Sequence, residues 1–224
     1  MIVKINRQKT VGVFGAKGSG KTWITRELAE SVDKDGICFN TIGALKPKGY
    51  KEYIVSNTRI AEQAMIFAGI CNKTHKNVCV DLRNLNKAQI ILFTDTFLKA
   101  THLKSKWIFI DEIVDYVPEI GKRSQELERF IRNCRNDECT VVLNTQRPPV
   151  LSKTVLNLCD IVFIFRLNWV RDLSVVREVL SGLGIQNEEI ENNVHKIANL
   201  DTGEKKLIVF GRINVTNETK DNNV

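Results

Sequence analysis

Eight consecutive residues, Gly15-Ala16-Lys17-Gly18-Ser19-Gly20-Lys21-Thr22, constrain this chain more than any other feature. They stand between an apolar run, Thr10 to Phe14, and a stretch of helical character that begins at Lys21 and extends to Val32. The glycines let the backbone bend so that successive N–H groups point inward, and the following helix presents its positive end to the same place. Strand, glycine-rich loop and helix in that order form a cradle for phosphate, and the residues match G-x-x-x-x-G-K-[ST] in full. All eight are therefore assigned to nucleotide binding. Lys21 is placed to bridge β- and γ-phosphate oxygens, and Thr22 to set its hydroxyl on Mg²⁺.

The rest of the chain is organised to support such a unit. Short β-branched runs at Gly36 to Asn40, Tyr53 to Val55, Asn77 to Leu82, Lys106 to Asp111, Thr140 to Asn144 and Ile161 to Phe165 alternate with helical patterns. The helices are expected at Thr58 to Ile70, Lys87 to His102, Ser124 to Asn133, Lys153 to Leu158, Val170 to Leu180 and Asn187 to Ile197, with Ser152 and Asn168 as caps. Lys205 to Phe210 reads as a late strand. Alternation of this kind predicts an α/β three-layer sandwich around a mostly parallel sheet. With 224 residues, 43% hydrophobic and 26% charged, the chain is expected to fold as one domain over residues 1–213, followed by a polar, flexible tail at 214–224.

The longest apolar runs are of strand length, far below a membrane span, and the N-terminus has no apolar core of a secretion signal, so an intracellular setting is expected. The six cysteines contain no CxxC pair and read as buried thiols. His75, His102 and His195 share no ligand spacing, so Mg²⁺ is the one metal expected.

A second site follows from Trp107-Ile108-Phe109-Ile110-Asp111-Glu112, four apolar residues of a buried strand ending in two carboxylates. Asp111 at the strand end suits the Mg²⁺ shell, and Glu112 is placed to orient or deprotonate an attacking water. The pattern resembles a Walker B motif. A glutamate beside the metal aspartate favours hydrolysis over phosphotransfer, leaving a P-loop small-molecule kinase as a minor alternative. A complete strand and helix between loop and carboxylates resembles the additional-strand P-loop ATPases, and no NKxD-like guanine signature is present, so ATP is the expected nucleotide.

The third element is Asn144-Thr145-Gln146-Arg147-Pro148, a polar strand tip at which Gln146 can sense the γ-phosphate. Together with Asp111 to Pro118, which resembles DEAH-x-F-x-P, and Val80 to Leu85, which resembles a strand ending in DLRGL, it resembles the FtsK/HerA superfamily of DNA-translocating ATPases over roughly residues 10–166. The resemblance implies a RecA/ASCE-type core, double-stranded DNA as partner and a homohexameric ring. It also implies an arginine, eleven positions before the sensor glutamine, that reaches the neighbouring subunit's nucleotide; here that is Arg135, with Arg132 as the substitute.

The chain starts ten residues before its first core strand and carries no accessory domain, which resembles the genome-packaging ATPases of Sulfolobus-infecting turreted icosahedral viruses. Host cytoplasm, association with the virion, and capsid or internal-membrane partners at a packaging vertex are implied by that likeness. A cellular or plasmid HerA-like motor for conjugation or repair is the alternative. An excess of 33 Lys and Arg over 26 Asp and Glu suits a polyanionic partner, with Lys99 to Lys106 and Lys122 to Arg135 as candidate DNA-facing stretches. Trp23 is a candidate for stacking on the nucleotide.

Overall fold

The computed structural model describes residue 5, residues 8–201 and residues 206–211. The polar tail expected at 214–224 lies outside the described residues. Eight strands form one sheet: β1 (Thr10–Phe14), β2 (Gly36–Asn40), β3 (Lys51–Ile54), β4 (Val78–Asp81), β5 (Trp107–Ile110), β6 (Thr140–Thr145), β7 (Ile161–Ile164) and β8 (Ile208–Gly211). Their order is β3-β4-β2-β5-β6-β1-β7-β8, parallel throughout except that β8 runs antiparallel to β7. The helices are α1 (Lys21–Glu30), α2 (Ile60–Lys73), α3 (Lys87–Ala100), α4 (Gln125–Asn133), α5 (Lys153–Asn157), α6 (Val170–Gly182) and α7 (Asn187–Ala198). The α/β class and the parallel sheet agree with expectation.

Strands buried on both faces need apolar residues at every position, because successive side chains point to opposite sides. Ile37 and Phe39 of β2, Ile108 and Ile110 of β5, and Val141 and Leu143 of β6 join the cluster that contains the apolar faces of α2 to α7. The intervening Cys38, Phe109 and Val142 join Val11 and Val13 in a second cluster with Ile24, Leu28 and Ala29 of α1. These two clusters are the boundaries of a three-layer sandwich. All six cysteines are free and buried within it, and burial pushes the thiols of Cys71 and Cys159 up to about 12.

Local chemistry sets several helix starts. Asn86 and Gln89 form a reciprocal capping box at α3, with the Asn86 Oδ1 accepting from Gln89 N at 3.0 Å and Gln89 Oε1 from Asn86 N at 2.9 Å. Ser124 Oγ accepts from Leu127 N at 3.1 Å to cap α4. The two other expected caps differ from the reading above. Ser152 occupies the N-cap of α5 but its side chain makes no capping bond. At α6 the N-cap is Trp169, not Asn168, again without a side-chain bond. The register of α6 is set instead by burial of Val176, Val179 and Leu180.

Because β1, β5 and β6 are parallel and adjacent, their C-terminal ends share one edge of the sheet. That edge carries the glycine-rich loop, the two carboxylates and the Asn144 to Gln146 segment. β6 lies between β1 and β5, whereas the strand and helix read between the loop and the carboxylates in sequence are β4 and α3, with β4 separated from β5 by β2.

Candidate nucleotide-binding site

The loop after β1 is held from one side by the chain leaving β7. Phe165 N donates to Phe14 O at 2.8 Å and Ala16 N to Arg166 O at 2.9 Å. Approach is close enough that only glycine fits at position 15: an added Cβ would lie 2.6 Å from Phe165 Cβ and from Ser19 Oγ. Gly20, the N-cap of α1, has φ 110°, a left-handed conformation that other residues rarely take. Lys21 is buried, and its Nζ donates to Ala16 O at 2.7 Å. Burial lowers its pKa to about 8, against the opposing attraction of Glu112 and Asp111. The same attraction shows that the lysine and the β5 carboxylates share one electrostatic site.

Asp111 is 2% exposed. Its Oδ1 accepts from Asn144 Nδ2 at 3.2 Å, while Oδ2 is buried without a well-formed hydrogen bond, the Ile42 backbone N–H lying near enough to the carboxylate only to oppose the rise in its pKa. Burial, and next the charge of Glu112, raise its pKa to about 6. An unpartnered buried carboxylate oxygen is costly unless a ligand completes it. A hard divalent cation is the kind of ligand that completes such an oxygen.

Glu112 leaves the strand with φ 49° and ψ 66°, a left-handed backbone that costs a non-glycine residue roughly 1–3 kcal/mol. The turn redirects its side chain to the neighbouring strand. There Thr145 Oγ1 donates to Glu112 Oε1 at 2.8 Å, and Gln146 N approaches Oε2 at 3.4 Å. Thr145 Oγ1 itself accepts from Arg147 N at 3.0 Å, which leaves its own hydrogen for the carboxylate. Burial raises the pKa of Glu112, the two hydrogen bonds opposing it.

The holding roles of Asn144 and Thr145 were not anticipated, although both lie in a segment singled out for Gln146. Their signal is register: Ile110 pairs with Leu143, so the next two residues of each strand meet, Asp111 with Asn144 and Glu112 with Thr145. Gln146 is half-buried beside them.

The two arginines stand elsewhere. Arg135 lies ahead of β6, at the edge of the sheet opposite Gln146, and is ion-paired with the buried Asp160, whose Oδ2 accepts Thr10 N at 3.0 Å. With about 3.3 Å per strand residue, the six residues of β6 separate it from its own loop by roughly 20 Å. Arg132 is exposed and pairs with Glu128 at 3.7 Å along α4. Trp23 packs, half-buried, against the α1 cluster.

No family model and no curated protein matches this sequence. Solved structures do match. The genome-packaging NTPase B204 from Sulfolobus turreted icosahedral virus 2, in complex with ATP-gammaS, superposes with TM-score 0.61 at 14% identity, over 94% of this chain and 94% of that one. The same protein with sulfate gives 0.60 at 16% identity, over 93% and 98%. B204, the DNA-packaging ATPase from Sulfolobus turreted icosahedral virus, gives 0.56 at 15%, over 94% and 100%. This chain has their fold. At such identity the likeness is one of architecture, matched nearly end to end. Among the described residues no helix is long and apolar enough to cross a membrane.

Proposed function

We propose that this chain hydrolyses ATP and uses the energy to drive double-stranded DNA through a ring of identical copies, packaging a viral genome into a preformed capsid. The observation that carries hydrolysis is Glu112: a carboxylate made more basic by burial, turned out of its strand by a left-handed backbone and clamped by Thr145. Such a group can take a proton from water at neutral pH. In this reading residues 15–22 cradle the triphosphate, Lys21 neutralises its β- and γ-oxygens, and Gln146 reports the γ-phosphate to the strand behind it. Thr22 and Asp111 hold Mg²⁺, which when bound draws charge from the phosphate oxygens. Arg135 serves a neighbouring copy, stabilising charge on the transferring phosphoryl group.

Thr145 provides an internal check. Thr145→Val removes the hydrogen bond that orients Glu112 and favours its ionised form. Turnover is expected to fall about tenfold, in line with one charge-assisted hydrogen bond, and the acid limb of the pH–rate profile to move to higher pH. Thr145→Ser restores both. A residue that merely packs would leave that limb in place.

The DNA part of the proposal is supported by the resemblance of the three motifs, by the described function of the fold's neighbours and by the placement of one basic loop. Along α4 the expected basic face is largely neutralised internally: Arg132 pairs with Glu128, and Arg129 with Glu126. The loop ahead of α4 is different. Ile120 at its tip is 89% exposed, followed by exposed Lys122 and by exposed Arg123, which reaches Glu128 at 3.5 Å. Its base is tied to both catalytic strands' extensions, through Ser124 N to Tyr116 O at 2.8 Å and Glu119 N to Val150 O at 2.8 Å. A segment so tethered can pass a change at Glu112 or Gln146 to a backbone phosphate.

Double-stranded DNA at low salt is expected to stimulate ATP turnover. In Lys122→Ala/Arg123→Ala the ratio of stimulated to DNA-free turnover falls toward one, with a shallower salt dependence. A wild-type chain whose turnover ignores DNA in every assembly state overturns the motor reading.

A further inference from the structure

We infer that Trp169 and Val170, at the start of α6, form the platform on which the base of the bound nucleotide rests. The inference builds on the nucleotide reading above and adds to it the side on which the nucleoside lies. Sheet order supplies the direction. Glu112, just after β5, and Gln146, just after β6, both stand to one side of β1, and hydrolysis requires the γ-phosphate to lie toward them. A triphosphate strung across the loop then releases its ribose and base on the other side of β1. That side is β7.

The chain leaving β7 is attached to the loop itself, through the Ala16 N to Arg166 O bond. Trp169 follows three residues later, within about 11 Å at 3.8 Å per residue. Along this segment burial alternates: Phe165 and Leu167 are fully buried, Arg166 is half-buried and Asn168 is exposed. Trp169 and Val170 then turn outward, 69% and 80% exposed, while Leu173, Val176 and Leu180 take α6 back into the core. The Trp169 backbone is held by Leu173 N, which donates to its carbonyl at 3.0 Å.

Two large apolar side chains exposed together mark a contact surface, and continuity with the phosphate loop identifies the occupant as a flat heteroaromatic base. Trp23, although nearer the loop in sequence, is already packed against the α1 cluster. An indole face and an aliphatic neighbour recognise a base by area rather than by hydrogen-bond pattern. Adenine and guanine nucleotides are therefore expected to bind with similar affinity, and pyrimidine nucleotides more weakly.

Calorimetric titration of the full chain with ATP and with inorganic tripolyphosphate tests this. In Trp169→Ala the ATP dissociation constant is expected to rise about tenfold, the range of one lost base stack, with tripolyphosphate binding unchanged within twofold; Trp169→Phe recovers most of the loss. Unaltered ATP affinity in Trp169→Ala overturns the platform, as does an equal loss for both ligands, which would make Trp169 a support of the loop. Loss of assembly with ATP affinity per protomer intact overturns it too, by assigning the exposed pair to a subunit contact. A wild-type chain that binds neither ligand overturns the nucleotide reading itself, and the two failures are thereby distinguished.

Discussion

Glu112→Gln is expected to leave ATP binding close to wild type and to slow hydrolysis by about 10²–10⁴-fold, the range for removing a positioned general base. The substitution is nearly isosteric. Gln can still accept the Thr145 hydroxyl hydrogen through Oε1, so the clamp seen at 2.8 Å survives, and what is lost is the basic charge and the long contact from Gln146 N at 3.4 Å. In the wild type the acid limb should lie above the ordinary carboxylate range, because burial raises the Glu112 pKa and Asp115 adds to the rise, with Lys21 and the Thr145 hydroxyl opposing. Activity is lost as pH falls through that raised value, since the base becomes protonated; the residual activity of the variant should lack this limb. Steady-state turnover across pH, paired with equilibrium ATP binding, measures both. Turnover within tenfold of wild type would place the base elsewhere.

Asp111→Asn is expected to abolish the Mg²⁺-dependent part of nucleotide binding while making the ligand-free protein more stable. The physical reason is the pKa of about 6, raised chiefly by burial. Each pKa unit corresponds to about 1.36 kcal/mol, so keeping this carboxylate ionised in the fold costs about 3 kcal/mol near neutral pH. Asparagine removes that charge and can still accept from Asn144 Nδ2. That net cost already includes the attraction to Lys21, so the gain expected is up to about 3 kcal/mol, or several degrees in Tm for a chain of this size.

The sign of the pH dependence is definite. The folded state takes up the Asp111 proton as pH drops through about 6, before the unfolded chain does near 4, so this group makes the wild type relatively more stable as pH falls from 7 toward 4. The advantage of Asp111→Asn should therefore narrow over that window. Thermal unfolding of both proteins at pH 7 and pH 5 checks it, and a variant less stable than wild type at pH 7 would contradict the account.

These two effects rest on residues that were legible as candidates from the chain alone, for a reason common to both. A phosphate loop and a carboxylate pair at a strand end are contiguous in sequence, and their surroundings, an apolar strand before and a helix or turn after, are local patterns. Asn144 and Thr145 were hidden in their roles because each acts on a residue 33 positions away, Asp111 and Glu112 respectively, across a pairing that only the register of β5 with β6 defines. The cap of α6 was misplaced for a related reason. Asn168 has the right chemistry, but Leu167 must be buried as the chain leaves β7, and the helix begins where Leu173, Val176 and Leu180 can follow it inward. Arg135 was placed by counting back from Gln146; the fold adds that it stands at the far edge of the sheet, engaged with Asp160.

By itself, then, the sequence determined the glycine loop, the Lys21 and Thr22 positions, the acidic strand end and the α/β alternation, since each depends on neighbours a few residues apart. Tertiary structure alone decided that the ends of β1, β5 and β6 share an edge, that Asn144 holds one oxygen of Asp111, that Glu112 is clamped across strands, and that Trp169 is exposed while Trp23 is packed against the α1 cluster. Parallel strands require long crossovers, so residues that meet at one edge come from distant parts of the chain, and their meeting is a property of strand order and register.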